Sequence, residues 1–91
     1  MCPDLLTLVN QYDWPLEEAL AVVLCESGGD AHALSSTGCQ GLFQICSSDG
    51  GDGRYFDPWS NVSAAYAKYR DGVSKGNPWW HWNQFGACGW F

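Results

Sequence analysis

Basic residues are scarce. The chain carries 4 Lys and Arg against 10 Asp and Glu, a formal net charge of -6 with a pI near 4.4. Phosphate backbones are bound by clustered Lys and Arg. Arg54, Lys68, Arg70 and Lys75 are scattered along the sequence, so nucleic acid is excluded as a partner. Long apolar runs are also missing, and none approaches the roughly 20 residues that span a bilayer. No transmembrane segment is expected, and no basic-plus-hydrophobic signal peptide opens the chain. Repeats and low-complexity tracts are absent.

Metal-binding patterns are missing as well. The five cysteines contain no CxxC pair, and His32 and His81 stand alone. Zinc-finger spacing is therefore not met, and neither a metal nor another cofactor is expected. Asp49 and Asp52 hint at calcium, but the twelve-residue loop with its closing Glu is lacking. A solvated turn over residues 47–54 is the better reading. Five cysteines in 91 residues instead suggest disulfides and an oxidising destination. The count is odd, so one thiol is left over, with Cys2 the candidate.

What is present is apolar weight. Hydrophobic residues make up 46% of the chain, aromatics 15%, and there are six Trp. A single globular domain over residues 1–91 with a small core follows. The helical signals come in order. Leu5, Leu8, Val9 and Tyr12 share a face of a helix expected from Pro3 to Tyr12, with Pro3 at the first position. Asp13-Trp14-Pro15 breaks it, and Asp13 is a candidate cap for the next helix. From Pro15 to Ser27, Leu16, Ala19, Leu20 and Val23 recur at i, i+3, i+4 and i+7, an amphipathic stripe. Glu26 continues that stripe, and Gly28-Gly29 ends it.

A carboxyl on the apolar side is poorly solvated when ionised and is favoured as a general acid. An exposed helix-end Glu fits the same spacing, because register blurs near helix ends. Residues 30–36 read as irregular. Residues 37–47, punctuated by Gly38 and Gly41, read as a tight turn and a short extended or helical piece. Asp57 and Pro58 open a third helix as N-cap and N1. Its stripe is Val62, Ala65, Tyr66, Tyr69 and Val73, with Gly72 and Gly76 expected to end it. Asn61-Val62-Ser63 is an N-glycosylation sequon, meaningful only in a eukaryotic secretory route. The tail holds Trp79, Trp80, Trp82, Phe85, Trp90 and Phe91. Core packing, stacking on sugar rings and an interaction patch all fit these aromatics.

Glu26-Ser27-Gly28-Gly29, then Ala33, Ser35, Gly38 and Gly41-Leu42-Phe43-Gln44-Ile45, resembles the lysozyme-like fold of soluble lytic transglycosylases. That family reads Glu-Ser, a Ser nine residues after the Glu, and Gly-Leu-Met-Gln ending eighteen residues after it. Ser35 and Gln44 stand at those two spacings. Phe56-Asp57-Pro58 and Asn61 leading into Ala64-Ala65 match the family's next element. The resemblance covers Glu17 to about Arg70 well and the tail loosely. Cys25-Glu26-Ser27-Gly28-Gly29 is also similar to the motif of resuscitation-promoting factors. In those, the Cys beside the catalytic Glu bonds to one near the C-terminus, which implies Cys25–Cys88 here. Cys39 and Cys46 are then expected as the second pair.

The resemblance implies a mainly α (small α+β) fold, a minimal lysozyme-like domain stapled by disulfides. It further implies cleavage of the MurNAc-β-1,4-GlcNAc bond of peptidoglycan glycan strands by a monomeric enzyme outside the cytoplasm, in the periplasm or at the cell wall, phage delivery included. Glu26 would be the catalytic acid and base, giving a 1,6-anhydro product. Ser35 and Gln44 would bind substrate, with Tyr66, Trp80 and Trp82 as further sugar contacts. Hydrolysis of the goose-type lysozyme kind stays open, with Asp49, Asp52 and Asp57 as candidate second acids. A catalytically inactive glycan-binding module is a further alternative. Two departures stand out. Phe43 replaces the family's Met, and Trp82-Asn83-Gln84-Phe85-Gly86-Ala87 stands near where the family has Tyr-Asn-Ala-Gly-Pro. The tyrosine that closes the family's site therefore has no clear equivalent.

Overall fold

The computed structural model describes residues 4–36, 38–46 and 53–85, with side chains through Trp82. Four helices carry the fold: α1 (Leu5–Asn10), α2 (Leu16–Ser27), α3 (Pro58–Ser74) and α4 (Trp80–Phe85), with a 3-10 turn at Arg54–Phe56 before α3. Residues 33–36 and 38–46 are non-helical and lie between helices α2 and α3. Their extended pieces pair at isolated antiparallel bridges, Leu34 with Gln40 and Gln40 with Ile45. The chain is thus mainly α, with a trace of β structure where the motif lies.

The apolar stripes meet in one core. Leu8 and Val9 of α1, Ala19, Val22 and Val23 of α2, and Val62 and Ala65 of α3 are buried together with Leu42, Phe43 and Ile45. Trp14, between α1 and α2, is the hub. Its ring lies 5.3 Å from Phe43, 5.4 Å from Tyr66, 5.7 Å from Tyr69 and 5.9 Å from Trp79 between centroids. These separations lie in the range of favourable aromatic pairs. Its indole N–H donates to the Val9 carbonyl at 2.6 Å, so its polar atom is satisfied inside the core. Trp79 does the same through Glu18, whose Oε1 accepts its indole N–H at 2.7 Å. Burial, then the carboxylates of Glu18 and Asp13, push the Tyr69 hydroxyl above the usual tyrosine range.

Several sequence expectations need correction. Helix α1 begins at Leu5 after Asp4 and ends at Asn10, shorter than expected; Pro3 lies outside the described residues. Asp13 does not cap α2. Pro15 holds the N-cap position without a side-chain cap, and Glu17 and Glu18 in the first turn face the positive end of the helix dipole. Gly72 does not end α3 but is buried within it. Lys75 is the C-cap, followed by Gly76 at φ 86°. A Cβ on Gly72 would sit 2.5 Å from the Asn77 and Pro78 carbonyl oxygens, so glycine lets the chain fold back against the helix. Val73, assigned to the core stripe, is 48% exposed, because that stripe runs past the end of the packed region. Asp57 and Pro58 open α3 as expected, with Asp57 Oδ2 accepting the Ser60 backbone N–H at 2.9 Å.

The Asn61 sequon is overturned. Asn61 is fully buried, and its amide oxygen and both amide N–H groups are bonded inside the protein, which leaves no room for a glycan. Helix α4 was not expected. It brings Trp82, three residues after Trp79, into the core beside it, with ring centroids 5.3 Å apart. At its outer side, Asp71 accepts from Lys75 and pairs with His81, each at 2.8 Å, tying the end of α3 to α4. Those two hydrogen bonds, Lys75 first, hold the Asp71 carboxyl below the usual carboxylate range.

Candidate active site

Glu26 sits in the last turn of α2, which stops because Gly28 adopts the left-handed conformation at φ 65° and returns its N–H to the Leu24 carbonyl at 3.0 Å. The residue is half-buried and its Oε1 is withdrawn from solvent. The spacing argument for the core-facing side of α2 therefore holds, in contrast to Leu24, which is 61% exposed. The next residue anchors the helix end to the motif turn: Ser27 Oγ donates to the Leu42 carbonyl at 2.8 Å.

The turn itself is built from residues 33–36 and 38–46. Gln40 exchanges both backbone hydrogen bonds with Ile45, at 3.1 and 3.0 Å, and the Gly41 N–H reaches back to the Ala33 carbonyl at 2.8 Å. Gly41 has φ 74°, and a Cβ there would overlap the Tyr55 carbonyl oxygen and the Asn61 amide. No other residue meets both conditions. The Cys39–Cys46 disulfide closes the base of this turn, as expected. On the chain-entropy account a loop this short contributes about 2 to 3 kcal/mol. Cys25 is also disulfide-bonded. Cys88, its implied partner, and Cys2 lie outside the described residues.

Ser35 and Gln44 both belong to this turn. Ser35 Oγ accepts the Cys39 N–H at 3.0 Å, and its backbone N–H donates to the Cys39 carbonyl at 3.0 Å. Gln44 is half-buried and is the one non-glycine residue with positive φ among those described, at 50°. Its side-chain amide donates to Gly41 and Ala33 carbonyls at 3.0 and 3.2 Å. Left-handed backbone at a non-glycine residue is strained and concentrates at functional sites.

The other expected sugar contacts lie outside this turn. Tyr66 lies in the aromatic stack between Tyr12 and Tyr69, with centroids 4.7 and 6.0 Å away. Trp82 is 4% exposed, and its indole N–H donates to the Phe43 carbonyl at 3.0 Å, so it packs beneath the motif turn. Trp80 is half-buried on α4, with Lys75 Nζ 5.3 Å from its ring centroid. Asp57, a candidate second acid, accepts the Ser60 N–H and hydroxyl through Oδ2, each at 2.9 Å. Asp49 and Asp52 lie outside the described residues.

Asn61 ties α3 to the motif turn, a contact the sequence reading did not anticipate. Its Oδ1 accepts the Phe43 N–H at 2.9 Å, and its Nδ2 donates to the Gln40 and Tyr55 carbonyls at 2.8 and 2.9 Å. A signal was available: Asn61 stands one step before Val62 on the packed side of α3, where an apolar residue would be expected. Beside the Gly29 turn an open groove of about 540 Å³ runs between α1 and the start of α3, floored by Leu8 and Leu42. Among the described residues, no three His, Cys, Asp or Glu side chains gather into a metal site, and no helix is long and apolar enough to cross a membrane.

No curated protein and no solved structure matches the chain. The model of one family, described as the transglycosylase SLT domain, matches residues 7–83. That stretch runs from α1 through the Glu26 helix and the motif turn to α4, so it takes in every element that builds the site. The chain belongs to the transglycosylase SLT domain family, whose general activity is that of a lytic transglycosylase on peptidoglycan.

Proposed function

We propose that this domain cleaves the MurNAc-β-1,4-GlcNAc bond as a lytic transglycosylase with Glu26 as its acid and base. The observation that carries this reading is the position of Glu26, half-buried at the end of α2 with one carboxyl oxygen withdrawn from solvent. Withdrawal from water favours the protonated carboxyl. In that form Glu26 donates its proton to the glycosidic oxygen as the bond from that oxygen to the anomeric carbon breaks. The substrate's own 6-hydroxyl then bonds to the anomeric carbon, and the Glu26 carboxylate takes the hydroxyl proton. The products are a free 4-hydroxyl on the leaving sugar and a 1,6-anhydro-muramic end. No water is consumed, and Glu26 ends protonated as it began.

This route needs a single carboxyl, whereas most glycosidases use two. The engagement of Asp57 in the α3 cap favours the single-acid route, because its carboxylate is committed to the Ser60 N–H and hydroxyl. Ser35 and Gln44, brought together on one disulfide-closed turn, are the residues we assign to glycan positioning. The burial of Trp79 and Trp82 removes two of the aromatics that a glycan-binding module would display. Such an enzyme works in the periplasm, at the cell wall or outside the cell, and the disulfides suit that setting.

The test is mass spectrometry of products from purified peptidoglycan, with Glu26→Gln beside the wild type. Muramic products one water lighter than reducing ends, lost in the variant while its circular dichroism is unchanged, are expected. Reducing ends in their place would make the enzyme a lysozyme. Undiminished cleavage by Glu26→Gln would overturn the assignment of the acid.

A further inference from the structure

Three helices converge on two consecutive residues of the motif turn, Leu42 and Phe43. The peptide unit joining Leu42 to Phe43 is gripped at both ends: its carbonyl accepts from Ser27 of α2 at 2.8 Å, and its N–H donates to Asn61 of α3 at 2.9 Å. The next carbonyl, that of Phe43, accepts the Trp82 indole N–H of α4 at 3.0 Å. Phe43 itself is fully buried, as is Asn61, and Trp82 is 4% exposed. Immediately after this clamp the chain enters the left-handed conformation at Gln44.

The donors and acceptors are matched. Asn61 has one acceptor and two donors in use, against one N–H and two carbonyls. Reversing its amide would set oxygen against two carbonyl oxygens. A buried polar group without its partner costs more than the bond gains, so each member holds the others in place. A left-handed glutamine persists only where its surroundings over-determine it. The groups that do so here sit on the peptide units leading into Gln44.

We propose that Asn61 and Trp82 are positioning residues: they lock the Leu42–Phe43 backbone so that Gln44 is held left-handed, with its side chain set for the glycan. This rests on the reading above that Gln44 meets substrate. Neither residue touches the sugar; both act through Gln44.

The variants that test it are Trp82→Phe, which keeps ring packing but loses the indole donor, and Asn61→Asp, which keeps shape but sets an oxygen against the Gln40 and Tyr55 carbonyls. Each is made alone and in a Gln44→Ala background. In the wild-type background kcat on soluble glycan fragments should fall about ten- to a hundredfold, the scale of a misplaced positioning group, with KM changed less than about threefold. In the Gln44→Ala background the same substitutions should change kcat less than about twofold, because effects that pass through one residue do not add. Equal losses in both backgrounds would overturn the proposal in favour of a general structural role.

A second readout is independent of turnover. Backbone couplings measured by nuclear magnetic resonance should show Gln44 leaving positive φ in a measurable population of Trp82→Phe. If Gln44 stays left-handed in that variant and in every Asn61 variant that folds, the proposal fails. Should the wild type cleave no glycan at all, the functional reading falls, and the backbone couplings alone decide whether Asn61 and Trp82 hold Gln44.

Discussion

Gln44, assigned above to glycan positioning, joins a left-handed backbone to an anchored side-chain amide. Its φ of 50° costs about 1 kcal/mol or more for any side chain bearing a Cβ. Its amide hydrogen bonds to the Gly41 and Ala33 carbonyls return part of that. Comparing Gln44→Ala with Gln44→Gly separates the two effects, since both lose the amide and only glycine relieves the backbone. Gln44→Gly should be the more stable of the pair by about 1 kcal/mol in urea unfolding. Both should lose most glycan cleavage. An alanine variant as stable as the glycine one would show that the backbone is unstrained. Of these features, the spacing of Gln44 from Glu26 could be read from the sequence. Its left-handed backbone could not, since glutamine is no usual signal for positive φ. The contacts of Asn61 were hidden for a related reason: its partners Gln40 and Phe43 lie 21 and 18 residues away, and such distant pairings leave no periodic trace.

Helices were legible where a local rule acts alone. Asp57-Pro58 opens α3 because an acceptor side chain and a residue lacking an N–H suit the same end of a helix. The stripe of α2 carried Glu26 to the core-facing side because 3.6-residue periodicity continues unbroken to Ser27. Rules that need a second element failed. Gly72 looks like a helix stop in sequence, yet it lies inside α3, where the following chain passes back over it. That contact gives a stability prediction. Gly72→Ala would normally favour a helix by up to about 1 kcal/mol. Here the added Cβ meets two backbone carbonyl oxygens at 2.5 Å, which cannot swing aside as a side chain can. The variant should be destabilised by about 1 to 3 kcal/mol, measured by thermal or urea unfolding. A stabilised variant would mean that α3 and the turn at Asn77–Pro78 separate without cost. Helix α4 went unread because its six residues are too few for a periodic pattern, although the three-residue step from Trp79 to Trp82 was available.

At the scale of the whole molecule, charge and fold pull apart. The SLT family match accounts for the path from α1 to α4, but nothing in that fold requires a net charge of -6. Bacterial walls are themselves anionic through their peptide and polymer carboxylates and phosphates, so enzyme and substrate repel at a distance. Electrostatic steering, which speeds the encounter of opposite charges, here slows it. On the reading proposed above, recognition rests on short-range contacts at the motif turn, where the Gln44 and Ser35 groups are polar but uncharged. Salt distinguishes this arrangement from one driven by attraction. Raising ionic strength from about 10 mM to about 150 mM shortens the screening length from about 30 Å to about 8 Å. Repulsion between the bodies is thereby damped, while hydrogen bonds inside the cleft are little affected. The rate at substrate concentrations below KM should rise about two- to threefold over that range, with kcat unchanged, measured on intact sacculi at constant pH. A rate that falls with salt would mean that the few cations, Arg54, Lys68, Arg70 and Lys75, steer the wall to the site despite the net charge. A less acidic variant made by replacing exposed acids, such as Glu17→Lys with Asp4→Lys, should start faster at low salt and lose that advantage as salt is added.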